Sequence, residues 1–415
     1  MGFIQKMRDF LVKNSLTTWE QTLYDAFSTP TLSGETITTR NALTIGAVYA
    51  CVNIKANAVA KLPLQVFKKG SRGRERETVH QVSYLLETRP NPYMTPFVFK
   101  HTVTVHRNLW GNAYIQMVFD QSGVVKALNP LDPAKVSAVE DLNGKIWYSY
   151  TSDKGTVLYE PSEIIVLPYL STDGITGKSP IAIARETAGT MKSAQKFLGS
   201  FYKNGTATRG ILKTPTPLEK AARDRLRAAW QESNSGIDNA HSIAILDGGL
   251  EYQNMTMPLQ DAEFIATQKF NVAEIARIFN VPLHKLNEMD RATFSNIEHQ
   301  SMEFIEDCIQ PELTAWEEEL NYKLFTTKEQ KRYYVKFNLN GAMRGDSQSR
   351  ATYYKEMIAM GAMTIDEVRA LEERDAIDNG DRPLVSLNYT FLDKLEEYQM
   401  AKAGMKGGES NEQKK

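Results

Sequence analysis

A chain of 415 residues has room for two or three packing units, and its 42% apolar and 24% charged fractions suit a globular protein with a sizeable core. Its 49 basic and 50 acidic residues leave a net charge of −1, which excludes a polyanion binder working through bulk charge and leaves only local patches. Two cysteines far apart, Cys51 and Cys308, exclude a disulfide framework and a zinc spacing, and fit a reducing cytosol.

Residues 1–42 are polar and weakly patterned and are expected to form an arm. Met1-Gly2-Phe3-Ile4-Gln5-Lys6 lacks the small polar residue a myristoylation signal needs at position six, and no signal-peptide pattern follows. Leu43 to Leu62 reads as a helix closed by Pro63. The surrounding stretch, Ala42 to Phe67, is the most apolar of the chain. It is interrupted by Asn53, Lys55, Asn57, Lys61 and Pro63, so it is not expected to cross a membrane.

Leu64 to Lys68 reads as a strand, and Thr95-Pro96 as a helix cap followed by proline at the first helical position. Ala113 to Phe119 and Val157 to Leu167 are strand-like, with turn points at Gly123, Asn143-Gly144 and Gly155. Residues 43–178 therefore form an α+β unit. Ser179-Pro180 repeats the cap signal and opens a helix of about 24 residues ending near Asn204-Gly205.

A compact βαββ insert is expected next: a strand at Gly210 to Lys213, a helix led by Thr216-Pro217-Leu218-Glu219, and strands at Ser242 to Leu246 and Leu250 to Met255. A second long helix, Gln260 to Phe279, stops at Pro282. Val281 to Phe294 has no clear period. Ser295 to Phe325 is helical, with a kink expected at Pro311. Tyr333 to Leu339 is a strand. Gln348 to Arg374 gives two short helices parted by Gly361, the second capped by Thr364 with Glu367 three residues on. From about Ala401 the composition is that of a disordered tail.

Thr172-Asp173-Gly174-Ile175-Thr176-Gly177-Lys178-Ser179 resembles a nucleotide P-loop, and Ile243-Ala244-Ile245-Leu246-Asp247 resembles a strand ending in a magnesium-holding aspartate. The spacing argues against it. A P-loop places four residues between its glycines so that consecutive N–H groups wrap a phosphate. Gly174 and Gly177 have two between them, and Thr172 stands where the first glycine belongs. A tight turn feeding a capped helix is the preferred reading. The six histidines show no metal spacing, and no Gly-x-Ser-x-Gly elbow occurs. No cofactor or catalytic residue is expected.

One helix carries a sharper pattern. Arg185, Lys192, Lys196 and Lys203 fall within about 40° of one another at about 100° per residue. Such an edge attracts phosphates without regard to sequence. The same pattern arises on the wet side of any amphipathic helix, and both readings stand.

The order of elements and several short motifs resemble the portal (head–tail connector) proteins of tailed siphophages over roughly residues 40 to 390. The motifs are Val48-Tyr49-Ala50-Cys51-Val52 with Leu62-Pro63-Leu64, Leu85-Leu86 with Pro90-Asn91-Pro92, and Gly111-Asn112-Ala113-Tyr114. They continue with Asp173-Gly174, Gly177, Ser179 and Pro180, then Ile275-Ala276-Arg277-Ile278-Phe279-Asn280-Val281-Pro282, and Phe294-Ser295-Asn296 with Glu298. Arg344-Gly345-Asp346, Gly361, Met363-Thr364 and Glu367-Val368-Arg369 close the series. The family commonly has asparagine where Asp366 stands, and Asp375-Ala376-Ile377 replaces its proline-rich turn.

The resemblance implies an α+β portal fold. Residues 1–42 would be an N-terminal arm, 43–178 and 297–345 a wing, 179–204 and 258–280 the stem helices and 205–257 a clip. Residues 281–296 would be a tunnel loop, 346–392 a crown and 393–415 a disordered tail. Arg185, Lys192, Lys196 and Lys203 would line a DNA tunnel, with His284, Lys285 and Arg291 in its loop.

The implied protein is not an enzyme. It forms a ring at one capsid vertex that passes double-stranded DNA in packaging and ejection, and it resides in host cytoplasm before assembly. Its implied partners are the terminase large subunit, a head–tail adaptor, and the major capsid and scaffolding proteins. A duplex about 20 Å wide, lined by helices 8–10 Å apart, takes roughly ten to fifteen subunits. The family's rings number about a dozen, closed head to tail. The alternative is a P-loop ATPase of the packaging machinery.

Overall fold

The computed structural model describes residues 29–70, 73–141, 143–204, 210–215, 217–234, 249–254, 261–287, 302–339, 347–372 and 374–384. The anticipated strand at Ser242 to Leu246, Arg291, and the tail from residue 393 lie outside the described residues.

The chain divides into a unit spanning 1–339 and a second spanning 340–415. The first begins with a coiled segment whose Ile37 is fully buried, then α1 (Thr39–Ala42) and α2 (Gly46–Lys61). Residues 29–42, anticipated as an arm, thus contribute to a core. Helix α2 starts at Gly46 rather than Leu43, because the capping box of Thr38 and Asn41 opens a separate short turn, α1, which ends at the Leu43 cap.

Strands β1 (Leu64–Gly70) and β2 (Gly73–Arg76) follow, and β1 pairs on its other edge with the distant β13 (Tyr333–Phe337). Helix α3 (Pro96–Trp110) starts from the Thr95 cap, whose hydroxyl accepts the N–H of Val98, and ends at Gly111 in a left-handed conformation. It leads into β3 (Asn112–Phe119), the centre of an antiparallel sheet ordered β4-β3-β8, with β4 at Val125–Leu131 and β8 at Ile164–Pro168. The run anticipated over Val157 to Leu167 is two strands. Val157 and Leu158 belong to β7 (Gly155–Tyr159), in a meander with β5 (Val136–Glu140) and β6 (Ile146–Ser152).

Beyond the short β9 (Leu170–Ser171) and β10 (Gly177–Lys178) come α4 (Pro180–Ile183) and α5 (Arg185–Asn204). The single helix anticipated there breaks at Ala184, whose ψ of 0° ends the first turn. In the anticipated insert, β11 (Gly210–Lys213) pairs antiparallel with β12 (Glu251–Asn254), and α6 (Lys220–Asn234) lies between them in sequence. Helix α7 (Asp261–Ile278) packs against α5 and α2.

The expected kink at Pro311 takes the form of a wide helical turn at Phe304–Ile309 running into α8 (Gln310–Lys323). Pro311 lacks the N–H that would bond the carbonyl of Asp307 four residues back. That carbonyl accepts instead from Nδ2 of Asn280 at 3.1 Å.

Three apolar clusters hold this unit. The largest joins β1, β3, β8, β13, α3 and α8 around Trp316, which is fully buried and meets Phe99 and Phe337 edge-on. A second gathers Ile37, Val48, Val52 and Ile181 with Ile275 and Phe279 from the end of α7. A third lies between the two sheets, around Tyr114 and Tyr148. Central strand β3 is covered on both faces, so it reads as a nearly continuous buried run rather than an alternation.

In the second unit, α9 (Ser347–Ala359) and α10 (Ile365–Leu371) are joined by Tyr354 and Arg350, which both reach Glu372. The Thr364–Glu367 capping box forms as expected. Asp366, where asparagine was anticipated, accepts the N–H of Ile377 on its carboxylate at 2.9 Å.

Candidate functional site

The turn that imitates a P-loop turns its hydrogen bonds inward. Asp173 Oδ1 accepts the N–H groups of Ile175 (2.7 Å) and Thr176 (2.8 Å), and Oδ2 accepts the Thr176 hydroxyl. The N–H of Gly174 goes to Ser171 Oγ. Partial burial works against the Asp173 carboxylate, but the bonds from Thr176, Ile175 and Ser171 hold it well below the usual carboxylate range. The turn's N–H groups are thus engaged by side chains, those of Ile175 and Thr176 by the Asp173 carboxylate, that of Gly174 by Ser171 and that of Gly177 by Asn112.

Behind this turn, Gly177 packs on the backbone of Gly111. A Cβ on Gly177 would stand 2.0 Å from Gly111 O. Asn112 bridges the contact from both sides, accepting from Gly177 N–H at 2.8 Å and donating to Gly177 O at 2.9 Å. Ser179 Oγ donates to Leu109 O at 2.5 Å. The residues that launch α4 and α5 are therefore tied to the end of α3.

The basic edge of α5 is covered by residues 29–35. Glu35 reaches Lys196 at 2.6 Å and Lys192 at 3.7 Å. The hydrogen bond from Lys196, with the charges of both lysines, holds the Glu35 carboxyl below its ordinary value, against the opposing effect of desolvation. Arg185 donates to Thr29 Oγ1 and pairs with Glu186, whose other oxygen accepts Leu32 N–H. Ser193 donates to Ser33 O. Gly189 makes room for this segment, since a Cβ there would meet Thr31 at 2.5 Å. The edge expected to line a DNA tunnel thus meets Glu35 and the otherwise uncharged residues 29–34 of its own chain. Of its charges Lys196 stays the more outward, its side chain 65% exposed against 22% for Lys192. The side chain of Lys203 lies outside the described residues.

At the far end of α7, Asn280 takes a left-handed conformation and the chain passes through Pro282 into a tight turn at Leu283–Leu286. His284 points Nε2 into a buried position without a hydrogen-bond partner, and burial, with the charge of Lys285, pushes its imidazole down while Glu303 opposes. Lys285 lies over the ring of Phe304 at 5.7 Å. Arg291 lies outside the described residues, so only His284 and Lys285 of the anticipated loop residues have a described position.

A feature not anticipated stands beside the same helix end. Lys55 of α2, Arg107 of α3 and Glu312 of α8 form a buried charge cluster, with Glu312 3.7 Å from Lys55 and 3.3 Å from Arg107. Lys55 also donates to Phe279 O at 3.4 Å, near the C-terminus of α7, and both cations lie over the ring of Tyr169. Burial, the largest single influence, would lower the Lys55 amine, but the attractions of Glu312, Cys308 and Tyr169 together outweigh it and hold the group above its usual value.

Among the described residues neither Glu312 oxygen has a well-directed donor, and Glu312 lines a cavity of about 240 Å³ together with Lys55, Arg107, Tyr169 and Asn280. The nearby thiols of Cys51 and Cys308 are pushed up to about 12 and about 11 by burial, which makes them unreactive. The sequence held one signal: Lys55 continues the apolar face of Val48, Cys51, Val52 and Val59, where a solvated lysine does not belong.

Among the described residues no group of three or more His, Cys, Asp or Glu is placed to hold a metal, and no helix is long and apolar enough to cross a membrane. The described residues thus offer packed helices, a β-paired insert and a clamped helix end.

Comparison with known proteins points the same way. A family model described as phage portal protein matches residues 46–373. The probable portal protein of Streptomyces phage phiC31 is 32% identical over 361 residues, covering 84% of this chain and 78% of the relative. The portal protein of Enterobacteria phage HK97 is 30% identical over 371 residues, covering 88% and 87%. A solved chain from the neck of a native GTA particle, computed with C12 symmetry, superposes with a TM-score of 0.55 at 22% identity, covering 82% of this chain and 95% of the other. Through residues 46–373 and these relatives, the chain belongs to the phage portal protein family.

Proposed function

We propose that this chain is one subunit of a ring of about twelve copies at a capsid vertex, through which double-stranded DNA is packaged and ejected. The observation that carries the reading is the arrangement helix, β-paired insert, helix, ending in a clamped turn. Helices α5 and α7 pack together, β11 pairs with β12 between them in sequence, and Lys55 and Asn280 fix the end of α7 where the loop begins. In this reading α5 and α7 are the stem, residues 205–257 the clip that docks the terminase large subunit and later the head–tail adaptor, and 281–296 the tunnel loop. Residues 346–392 form the crown, and the wing meets capsid and scaffolding proteins. The chain supplies a fixed conduit and the motor belongs to another protein.

Weak, sequence-independent contact suits a channel through which DNA slides. Glu35 offsets Lys192 and Lys196, so the stem edge attracts the duplex less than four unpaired cations would, with Lys196 as its most outward described charge. Negative-stain imaging with mass determination tests the ring: about a dozen subunits around a duplex-wide hole are expected, and a stable monomer in the presence of scaffold and capsid protein would refute it. Replacing Lys192 and Lys196 with Ala is expected to alter packaged DNA length or retention, and unchanged values in rings that still assemble would remove the lining role. The ATPase reading is disfavoured by the engaged turn at Asp173, and no ATP turnover by the purified chain is expected.

A further inference from the structure

The sheet ordered β2-β1-β13 has one face in the core and one in solvent. Leu64, Val66, Val335 and Phe337 point inward and are buried. Strand alternation and register place Phe67 and Lys69 of β1, Tyr334 and Lys336 of β13, and Arg74 and Arg76 of β2 on the other face. Phe67 pairs with Tyr334 and Arg76, and Lys69 pairs with Arg74. No strand residue on that face is acidic, since Glu75 pairs with Lys68 on the inner side.

In a chain of net charge −1, this is a marked local excess of positive charge. Glu87 pairs with Arg76, and Glu317 lies close enough to feel Lys336. Lys69 and Arg74 have no carboxylate within ion-pair distance among the described residues; Lys69 donates to Gln330 O at 3.3 Å.

The aromatic part of the face is already used. Phe67 and Tyr334 stack on each other at 5.6 Å, Arg74 lies over Phe67 at 5.0 Å, and Lys69 over Tyr334 at 5.9 Å. Covered rings offer no stacking platform for an unpaired base and no open apolar pocket for a protein anchor. What remains is a rigid pleated frame presenting cations. Neighbours are about 5 Å apart across strands and about 7 Å apart along them, a spacing that meets a phosphate backbone.

From this geometry we infer that the outer face of β2-β1-β13 is a second DNA-contact surface, separate from the stem helices, that holds the phosphates of duplex DNA without reading sequence. Arg74 and Lys69 are its principal contacts, and Arg76 and Lys336, partly neutralised by their own carboxylates, are secondary. The contact with the Phe67 ring at 5.0 Å holds the Arg74 guanidinium over the pleated face. This surface does not depend on ring formation or on the channel.

The test is anisotropy of a fluorescent 30-base-pair duplex titrated with the full-length chain at several salt concentrations. For Lys69→Gln/Arg74→Gln, binding about tenfold weaker at low salt and a log–log salt slope shallower by about two are expected. The charge-preserving pair Lys69→Arg/Arg74→Lys is expected to keep the wild-type salt slope with affinity within about threefold, which separates charge from folding, and unchanged circular dichroism checks the Gln variant. Equal affinity and slope for wild type and the Gln variant would overturn the inference. So would a fluorescent poly-glutamate peptide binding more tightly than the duplex and losing that binding in the Gln variant, which would reassign the face to an acidic protein segment.

Discussion

Two carboxylates in this molecule each sit between two cations, and they behave oppositely. Glu35 joins Lys192 and Lys196 on the wet edge of α5, while Glu312 joins Lys55 and Arg107 in the core. On the edge, Lys196 stays 65% exposed and water screens its charge, so the pairing does little more than position residues 29–35. In the core, the same two-to-one arrangement is far from water and fastens three helices and the end of a fourth. Charge pattern alone does not say which kind of site a sequence builds, because burial sets the strength of each pairing.

The largest expected effect breaks the core cluster. Glu312→Ala leaves Lys55 and Arg107 buried and mutually repelling, and is expected to destabilise the chain by about 3–5 kcal/mol in urea unfolding. Replacing all three with Met or Leu is expected to recover most of that loss. An unchanged midpoint in the single variant would mean that the cluster is solvated after all, and the contrast with Glu35 would collapse.

Gly177→Ala comes next, with about 2–3 kcal/mol expected, since its Cβ would meet the Gly111 backbone and neither strand end can yield freely. The same substitution at Gly199, where nothing lies within 4 Å, is expected to be neutral or better.

A third prediction concerns pH. His106 is pushed down to about 4 by burial, with Asp132 opposing, and its Nδ1 has no partner. The unfolded chain takes up the proton first as pH falls, so the stability from burying neutral imidazole is present above pH about 6.5 and drains away towards pH about 4. The expected loss is on the order of 2 kcal/mol across that window. His106→Leu is expected to flatten this limb of a stability–pH profile, and an unaltered profile would place the imidazole in water.

The smallest expected effect is Glu35→Gln. The unfolding midpoint should stay within error of wild type, because both lysines can hydrate, while electrophoretic mobility should shift towards the cathode. A large destabilisation would show that the edge of α5 is as desolvated as the core.

These contrasts also mark what could be read from the chain. Local signals were legible because their chemistry is local: the caps at Thr95, Ser179 and Thr364 each fold a few residues without help. The imitation P-loop was rejected on spacing, and Asp173 supplies the physical reason. The break between β7 and β8 was missed because Pro161 and its neighbours interrupt an apolar run without a glycine to mark the turn. The pairing of Lys55 with Glu312 spans 257 residues, and that of Glu35 with Lys196 spans 161, so nothing in either neighbourhood announces its partner. The basic stripe of α5 is legible from helical spacing, whereas its cover by residues 29–35 is not.

The union of Gly111, Asn112, Gly177 and Ser179 has a mechanical consequence. Where a helix leaves a body through one flexible residue, a pull on the helix is spent swivelling that residue. Here the departing strand is pinned by two side-chain bonds from Asn112 and one from Ser179, with two glycine backbones in contact. A push along α5 that passes the break at Ala184 would therefore be delivered into α3 and the sheet behind it instead of being absorbed at the root.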